Sequence, residues 1–147
     1  MRLSLAVLMS AALLLAACGD DSADAESSDT GPAAVIEAYT EAYNSGDIDA
    51  VMVLFTEDSV VTGHPFSNKS EGLLEIRTVQ IEDISSGASE NAYTISNVEV
   101  SGDTVTWDHL WVSDDGSEFC QTGQTAVIED GKIVSWTWPT ASSDCPE

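Results

Sequence analysis

The chain has 147 residues, enough for one domain around one hydrophobic core, and sets 26 acidic residues against four basic ones, a formal charge of −22. So few Lys and Arg exclude a nucleic-acid partner, because phosphate binding needs clustered cations, and anionic membrane surfaces should repel the domain. Acidity on this scale bears on solubility and partners, not on fold.

Met1-Arg2 opens onto LSLAVLMSAALLLAA, residues 3–17, an apolar run that ends in small residues. It is shorter than the roughly 20 residues a spanning helix needs and has the shape of a signal-peptide core. The run meets LAAC, residues 15–18, followed by Gly19 and Asp20. This pattern resembles the lipobox of bacterial lipoproteins. The resemblance implies a signal peptide over 1–17, lipidation of Cys18 and an extracytoplasmic place on the cell envelope. Attachment to the membrane is then through acyl chains alone, each buried methylene adding about 0.8 kcal/mol. An ordinary secretory signal with an incidental cysteine is the alternative. Cleavage leaves Lys69, Arg77 and Lys132 as the only basic residues. Residues 18–31 then form the lipidated cysteine and an acidic, aperiodic tether, reaching about 40 Å when extended. With Cys18 lipidated, Cys120 and Cys145 are left as a pair for which a disulfide is the default in an oxidising compartment. It would close a loop of about 25 residues, contribute about 3 kcal/mol and tie back the tail at 140–147. Two free thiols are the alternative.

The ordered domain is expected over 32–139. Pro32 suits the first helical position, and Val35, Ala38, Tyr39, Ala42 and Tyr43 recur at helical spacing until Gly46. Asp47 can cap a second helix, DIDAVMVLF, with Ile48, Val51, Met52 and Phe55 near one face. DSVVTG, 58–63, reads as a short strand. Ser70 can cap a third helix carrying Leu73, Leu74, Arg77 and Ile81, which SSGASE at 85–90 ends. YTISNVEV, TVTWDHLWV, EFCQTGQTAVIE and KIVSWTW follow as strands separated by SGD, SDDG and DG, which are hairpin signals. Three amphipathic helices followed by a meander predict an α+β domain, the curved, mostly antiparallel sheet covered by the helices.

That element order resembles the nuclear transport factor 2-like superfamily. AVIEAYTEAYNSGDIDAVMVLFTEDSVV, 34–61, resembles the opening of SnoaL-like polyketide cyclases and ketosteroid isomerases, and VIEDGKIVSWTW, 127–138, resembles their closing strands. The resemblance implies a cone whose interior holds apolar ligands or catalytic groups, in a superfamily of isomerases, cyclases, dehydratases, epoxide hydrolases and pure binders. It places Tyr39 where ketosteroid isomerases have an oxyanion-stabilising tyrosine. With one inserted residue, the HPF at 64–66 lies over the Asp-Pro-Phe of the family's base, so His64 takes the base position; without the insertion Gly63 does. Gln124 falls near the strand acid. Tyr39 and Gln124 keep the ability to donate hydrogen bonds to a bound carbonyl.

The residues themselves leave each candidate two readings. His64 is either a general base, its ordinary pKa near 6.5 suiting neutral pH, or a strand-end residue before a proline turn. In TVTWDHLWV, alternation puts Val105, Trp107, His109 and Trp111 on one face. That face is a pocket wall with His109 as its polar group, packed core, or a dimer surface. Trp136 and Trp138 share a face on the last strand and pose the same choice. Two histidines 45 residues apart, without HExxH or paired CxxC spacing, give no metal site, and no cofactor is expected. DDGSE, 114–118, lacks the order of a calcium loop, and no GxSxG elbow is present. The functional expectation is a domain that binds a small hydrophobic molecule through Tyr39, Tyr43, Phe66, Trp107, Trp111 and Trp136. Proton-transfer catalysis by His64 or His109, with Tyr39 or Gln124 polarising a carbonyl, and a homodimerising interaction module are the alternatives.

Overall fold

Asn44, near the end of the first helix, shows how the two layers are joined. Its side-chain amide donates to the Tyr93 carbonyl at 2.7 Å while its oxygen accepts the Tyr93 N–H at 2.9 Å, imitating a strand partner and tying the helix to the sheet. The computed structural model describes residues 31–86, 92–113 and 115–139. The expectations for the signal peptide, Cys18, the tether, Cys145 and the tail therefore lie outside the described residues.

Helix α1 runs Pro32–Ser45 and stops at Gly46, whose φ of 71° lets its N–H reach back to the carbonyls of Ala42 and Tyr43. It buries Val35, Ile36, Tyr39, Ala42 and Tyr43; Ala38, expected on this face, is exposed and Ile36 replaces it. Helix α2, Ile48–Met52, is capped as expected by Asp47, which accepts the Ala50 N–H at 2.9 Å. It ends three residues before the predicted limit. The Leu54 carbonyl is instead taken by the Ile133 N–H at 2.7 Å, and Phe55 opens strand β1, Phe55–His64. Strand β2, Ser67–Glu71, was not expected, because SNKSE has no apolar alternation to announce it. It is an edge strand, where one unpaired side and polar side chains are tolerated. Ser70 therefore lies buried in a strand rather than capping a helix.

Helix α3 spans Gly72–Ser86, with the Glu75 carboxylate accepting the Glu71 N–H at 2.9 Å. Its buried stripe is Ile76, Val79, Gln80 and Asp83. This corrects the expected apolar face: Leu74 is 81% exposed and Ile81 is also on the surface. Strands β3 (Tyr93–Ser101), β4 (Thr104–Val112), β5 (Glu118–Glu129) and β6 (Lys132–Thr137) complete one sheet, ordered β2-β1-β6-β5-β4-β3. All pairings are antiparallel except β1 with β6. The result is the predicted α+β architecture, a curved sheet covered by three helices.

Alternation on β4 buries Val105, Trp107 and His109, with Trp111 half-buried on the same side. The core under α1 is ring against ring: Tyr39 meets Trp136 edge-on at 4.6 Å, and Phe55 stacks on Trp136 at 6.3 Å. One backbone approach positions the site. Trp138 N–H bonds the Thr62 carbonyl at 2.8 Å, and Gly63, at φ +76°, has room only because it lacks a Cβ, which would stand 2.2 Å from the Trp138 carbonyl oxygen.

Candidate functional site

That crossing of β1 and the end of β6 brings His64 onto Trp138, their rings 4.3 Å apart. From the other side Trp138 meets His109 edge-on at 5.3 Å, and His109 stacks on Tyr93 at 4.6 Å. Beside this group opens a cavity of about 300 Å³ lined by Pro65, Phe66, Asp83, His109, Trp111, Phe119, Gln121 and Trp138. Phe66 and Phe119 are 43% and 40% exposed and form the mouth, while Asp83, His109, Gln121 and Trp138 are buried and form the base.

His64 is 2% exposed and is not on the lining. The Phe66 backbone N–H donates to its Nδ1 at 3.2 Å, so that nitrogen carries a lone pair and the proton sits on Nε2. Nε2–H then donates to Asp83 Oδ2 at 3.4 Å. The contact is a hydrogen bond from a neutral imidazole rather than an ion pair. Both ring nitrogens are committed, so His64 orients Asp83 and has no lone pair left for a ligand.

His109 is set by a longer chain. Trp136 Nε1–H, which can only donate, bonds Gln124 Oε1 at 2.7 Å. This turns the Gln124 amide nitrogen towards Gln121 Oε1, at 3.0 Å, and towards His109 Nδ1. His109 Nδ1 therefore accepts, and the neutral ring presents Nε2–H, for which the described residues supply no partner. Burial, helped by His64 nearby, pushes its pKa from 6.5 down to about 4, so the ring is neutral at pH 7. It is a hydrogen-bond donor and a poor base. Trp138 also has an indole N–H without a hydrogen-bond partner among the described residues.

The phenols are equally committed. Tyr39 donates to Gln80 Oε1 at 2.7 Å and is fully buried. Tyr43 accepts the Trp111 indole N–H at 2.8 Å and donates to the Asp83 carbonyl at 3.4 Å. Burial raises the pKa of Tyr39, Tyr43 and Tyr93 above that of an ordinary phenol, which keeps them protonated. No group of three or more His, Cys, Asp or Glu side chains among the described residues could hold a metal ion.

A model of the SnoaL-like domain matches residues 36–136 of this chain. The chain belongs to the SnoaL-like family. Comparison of this SnoaL-like chain with curated proteins by sequence finds no match. Solved structures of similar fold include a hypothetical protein with a ketosteroid isomerase-like fold from Catenulispora acidiphila in complex with trimethylamine, at TM-score 0.60 and 16% identity over 71% of this chain and 83% of that one. A nuclear transport factor 2-like protein of unknown function from Burkholderia xenovorans aligns at TM-score 0.61 and 14% identity, over 78% and 87% of the two chains. A de novo designed protein with a curved β-sheet aligns at 0.62 and 13%, over 76% and 85%. At these identities the likeness is one of fold.

Within this SnoaL-like domain the expected site residues separate into two groups. Phe66, Trp111 and His109 line the cavity. Tyr39, Tyr43, Trp107 and Trp136 belong to the packed core, and Gln124 is a fully buried link between Trp136 and His109. Reading the sequence missed Asp83, Trp138 as a wall, Phe119 and Gln121. For Asp83 a signal was present: Ile76, Val79, Gln80 and Asp83 keep core-facing helical spacing but turn polar at the last two positions. Cys120 is buried on β5, and its expected partner lies outside the described residues.

Proposed function

We propose that the domain binds a small, mostly apolar molecule in the cavity between β4, β5, the end of β6 and α3. The observation that carries this reading is a cavity of about 300 Å³ with aromatic walls and three polar side chains, Asp83, His109 and Gln121, at its base. Apolar walls supply affinity by water exclusion, and a few fixed polar groups orient the guest. The proposal includes the sequence-based placement: lipidation at Cys18, attachment outside the cytoplasm and a Cys120–Cys145 disulfide. In that arrangement the tether holds the cavity away from the bilayer.

Native mass spectrometry of the chain from residue 18 onward, with Cys18→Ser and no exposure to organic solvent, tests the binding reading. An excess mass that leaves on denaturation is expected. A bare mass, with no uptake of indole or cyclohexanol on titration, overturns it.

A second reading is favoured by the 3.4 Å bond from His64 to Asp83. An oriented carboxylate and a neutral N–H donor lining one mostly apolar cavity are suited to removing a proton α to a carbonyl: Asp83 takes the proton and His109 Nε2–H stabilises the enolate oxygen. The histidine, predicted as the base, is in this reading the donor, and the base is a carboxylate that the sequence reading did not single out. Protein-dependent deuterium exchange into cyclohexanone, lost in Asp83→Asn, is expected under this reading. Exchange no faster than in buffer sinks it.

A further inference from the structure

Among the described residues no Lys or Arg reaches the buried carboxylate of Asp83, which contacts the His64 ring at 3.4 Å, and the rest of the molecule shows why this is unusual. A charge taken out of water is normally matched by an opposite one. The described residues contain three basic side chains, and all are held elsewhere. Lys69 pairs with Glu71 at 2.6 Å, Arg77 with Asp49 at 2.8 Å, and Lys132 bonds the Val53 carbonyl. Of the two histidines at the site, His64 is in its neutral form because its Nδ1 accepts the Phe66 N–H. His109 likewise accepts from the Gln124 amide at Nδ1. The hydrogen bond from His64 to the Asp83 carboxylate is long at 3.4 Å, and the Tyr43 hydroxyl, which also reaches that carboxylate, is a neutral phenol.

Around this carboxylate the cavity wall is aromatic: Phe66, Trp111, Phe119 and Trp138. Indole and phenyl faces attract a cation, most strongly when it has shed its water, and the attraction adds to that of a buried anion. We infer that the guest of this cavity is a small organic cation, an amine or quaternary ammonium group, whose charge lies against Asp83 within the aromatic wall. A compact ammonium group with methyl substituents meets both demands of the site, since its surface is apolar and its charge is diffuse. A metal ion meets neither. The inference rests on the binding reading above and narrows its ligand class.

Choline and its uncharged carbon isostere, 3,3-dimethylbutan-1-ol, differ by that charge alone. Each is titrated into the full chain in a sugar-headed detergent, with calorimetry and the emission of Trp111 and Trp138 as readouts. The expected result is choline binding about tenfold tighter or more. In Asp83→Asn, which keeps an oxygen for His64 Nε2–H and hence the local fold, the two should bind alike. Equal affinities in the unmodified chain overturn the inference and leave the binding reading standing. A preference for choline that survives in Asp83→Asn also overturns it, by assigning the attraction to the chain's overall negative charge. If neither compound binds, and indole and cyclohexanol do not bind either, both readings fall.

Discussion

Trp136 and Trp138 stand two residues apart at the end of one strand, their rings stacked at 5.1 Å, yet they belong to different regions of the molecule. Trp136 is in the packed region: Tyr39, Phe55 and Trp107 surround its ring, and its N–H is satisfied by Gln124. Trp138 is in the cavity region, with His64 and His109 against it and its N–H without a hydrogen-bond partner among the described residues. The same step separates Trp107 from His109 on β4. Strand alternation decides that all four side chains point inward. Whether an inward side chain meets packed atoms or open space depends on the helices above it. Where α1 lays down Tyr39, the sheet is sealed; where the buried stripe of α3 ends in Asp83, it is not.

The largest expected difference between the regions is in stability. Trp136→Ala removes a ring that four others pack against and should cost about 3–5 kcal/mol, measured from urea unfolding midpoints. A cost below about 1 kcal/mol would mean that the packed region is not packed.

Acid should act next, through the cavity region. The pKa of His109 is about 4 in the folded chain, against 6.5 for the ordinary side chain. The unfolded chain therefore takes up this proton first as pH falls. The stability that His109 contributes by being neutral is fully present above pH 6.5 and is lost towards pH 4, by about 3 kcal/mol. Replacing His109 by Gln removes this component, so the gap between variant and parent should shift in the variant's favour from pH 7 to pH 4.5. A gap that does not move with pH would refute the burial of His109 as its cause.

Gly63→Ala tests the joint between the regions. A methyl group here would meet the Trp138 carbonyl and would also sit at a φ of +76°, which L-residues rarely adopt. The expected cost is about 1–3 kcal/mol, with weaker ligand binding as Trp138 is displaced. Unchanged stability together with unchanged binding would show that the crossing is not needed for the site.

These differences explain what could be read in the sequence. The helices, the later strands and the inward face of β4 follow from periodicity, which covers whole segments. Strand β2 was invisible because an edge strand of polar residues carries no apolar period; its existence depends on β1 lying beside it. The stripe of α3 was misread for a related reason. Leu73, Leu74 and Ile81 outweigh Gln80 and Asp83 on any hydrophobic count, but the polar pair faces inward, where Gln80 accepts a hydrogen bond from the Tyr39 hydroxyl and Asp83 lines the cavity. The orienting partner of His64 lies 19 residues away on another element, and His109 is set through Gln124 and Trp136. No local pattern encodes such chains.

The smallest expected effect is at Trp111, which is on the cavity wall and also bonds the core residue Tyr43 at 2.8 Å. Trp111→Phe keeps an aromatic face towards the guest and removes one hydrogen bond, part of which Tyr43 retains through its contact with the Asp83 carbonyl. Stability should fall by about 1 kcal/mol or less. Affinity for the guest should fall a few-fold, because the smaller ring covers less of it. Calorimetric unfolding and ligand titration of the same sample separate the two effects. A binding loss that exceeds the stability loss, in kcal/mol, places Trp111 with the cavity. The reverse order would move it to the packed region and shift the boundary between the two by one residue pair along β4, leaving His109 and Trp138 as the aromatic floor of a shallower site.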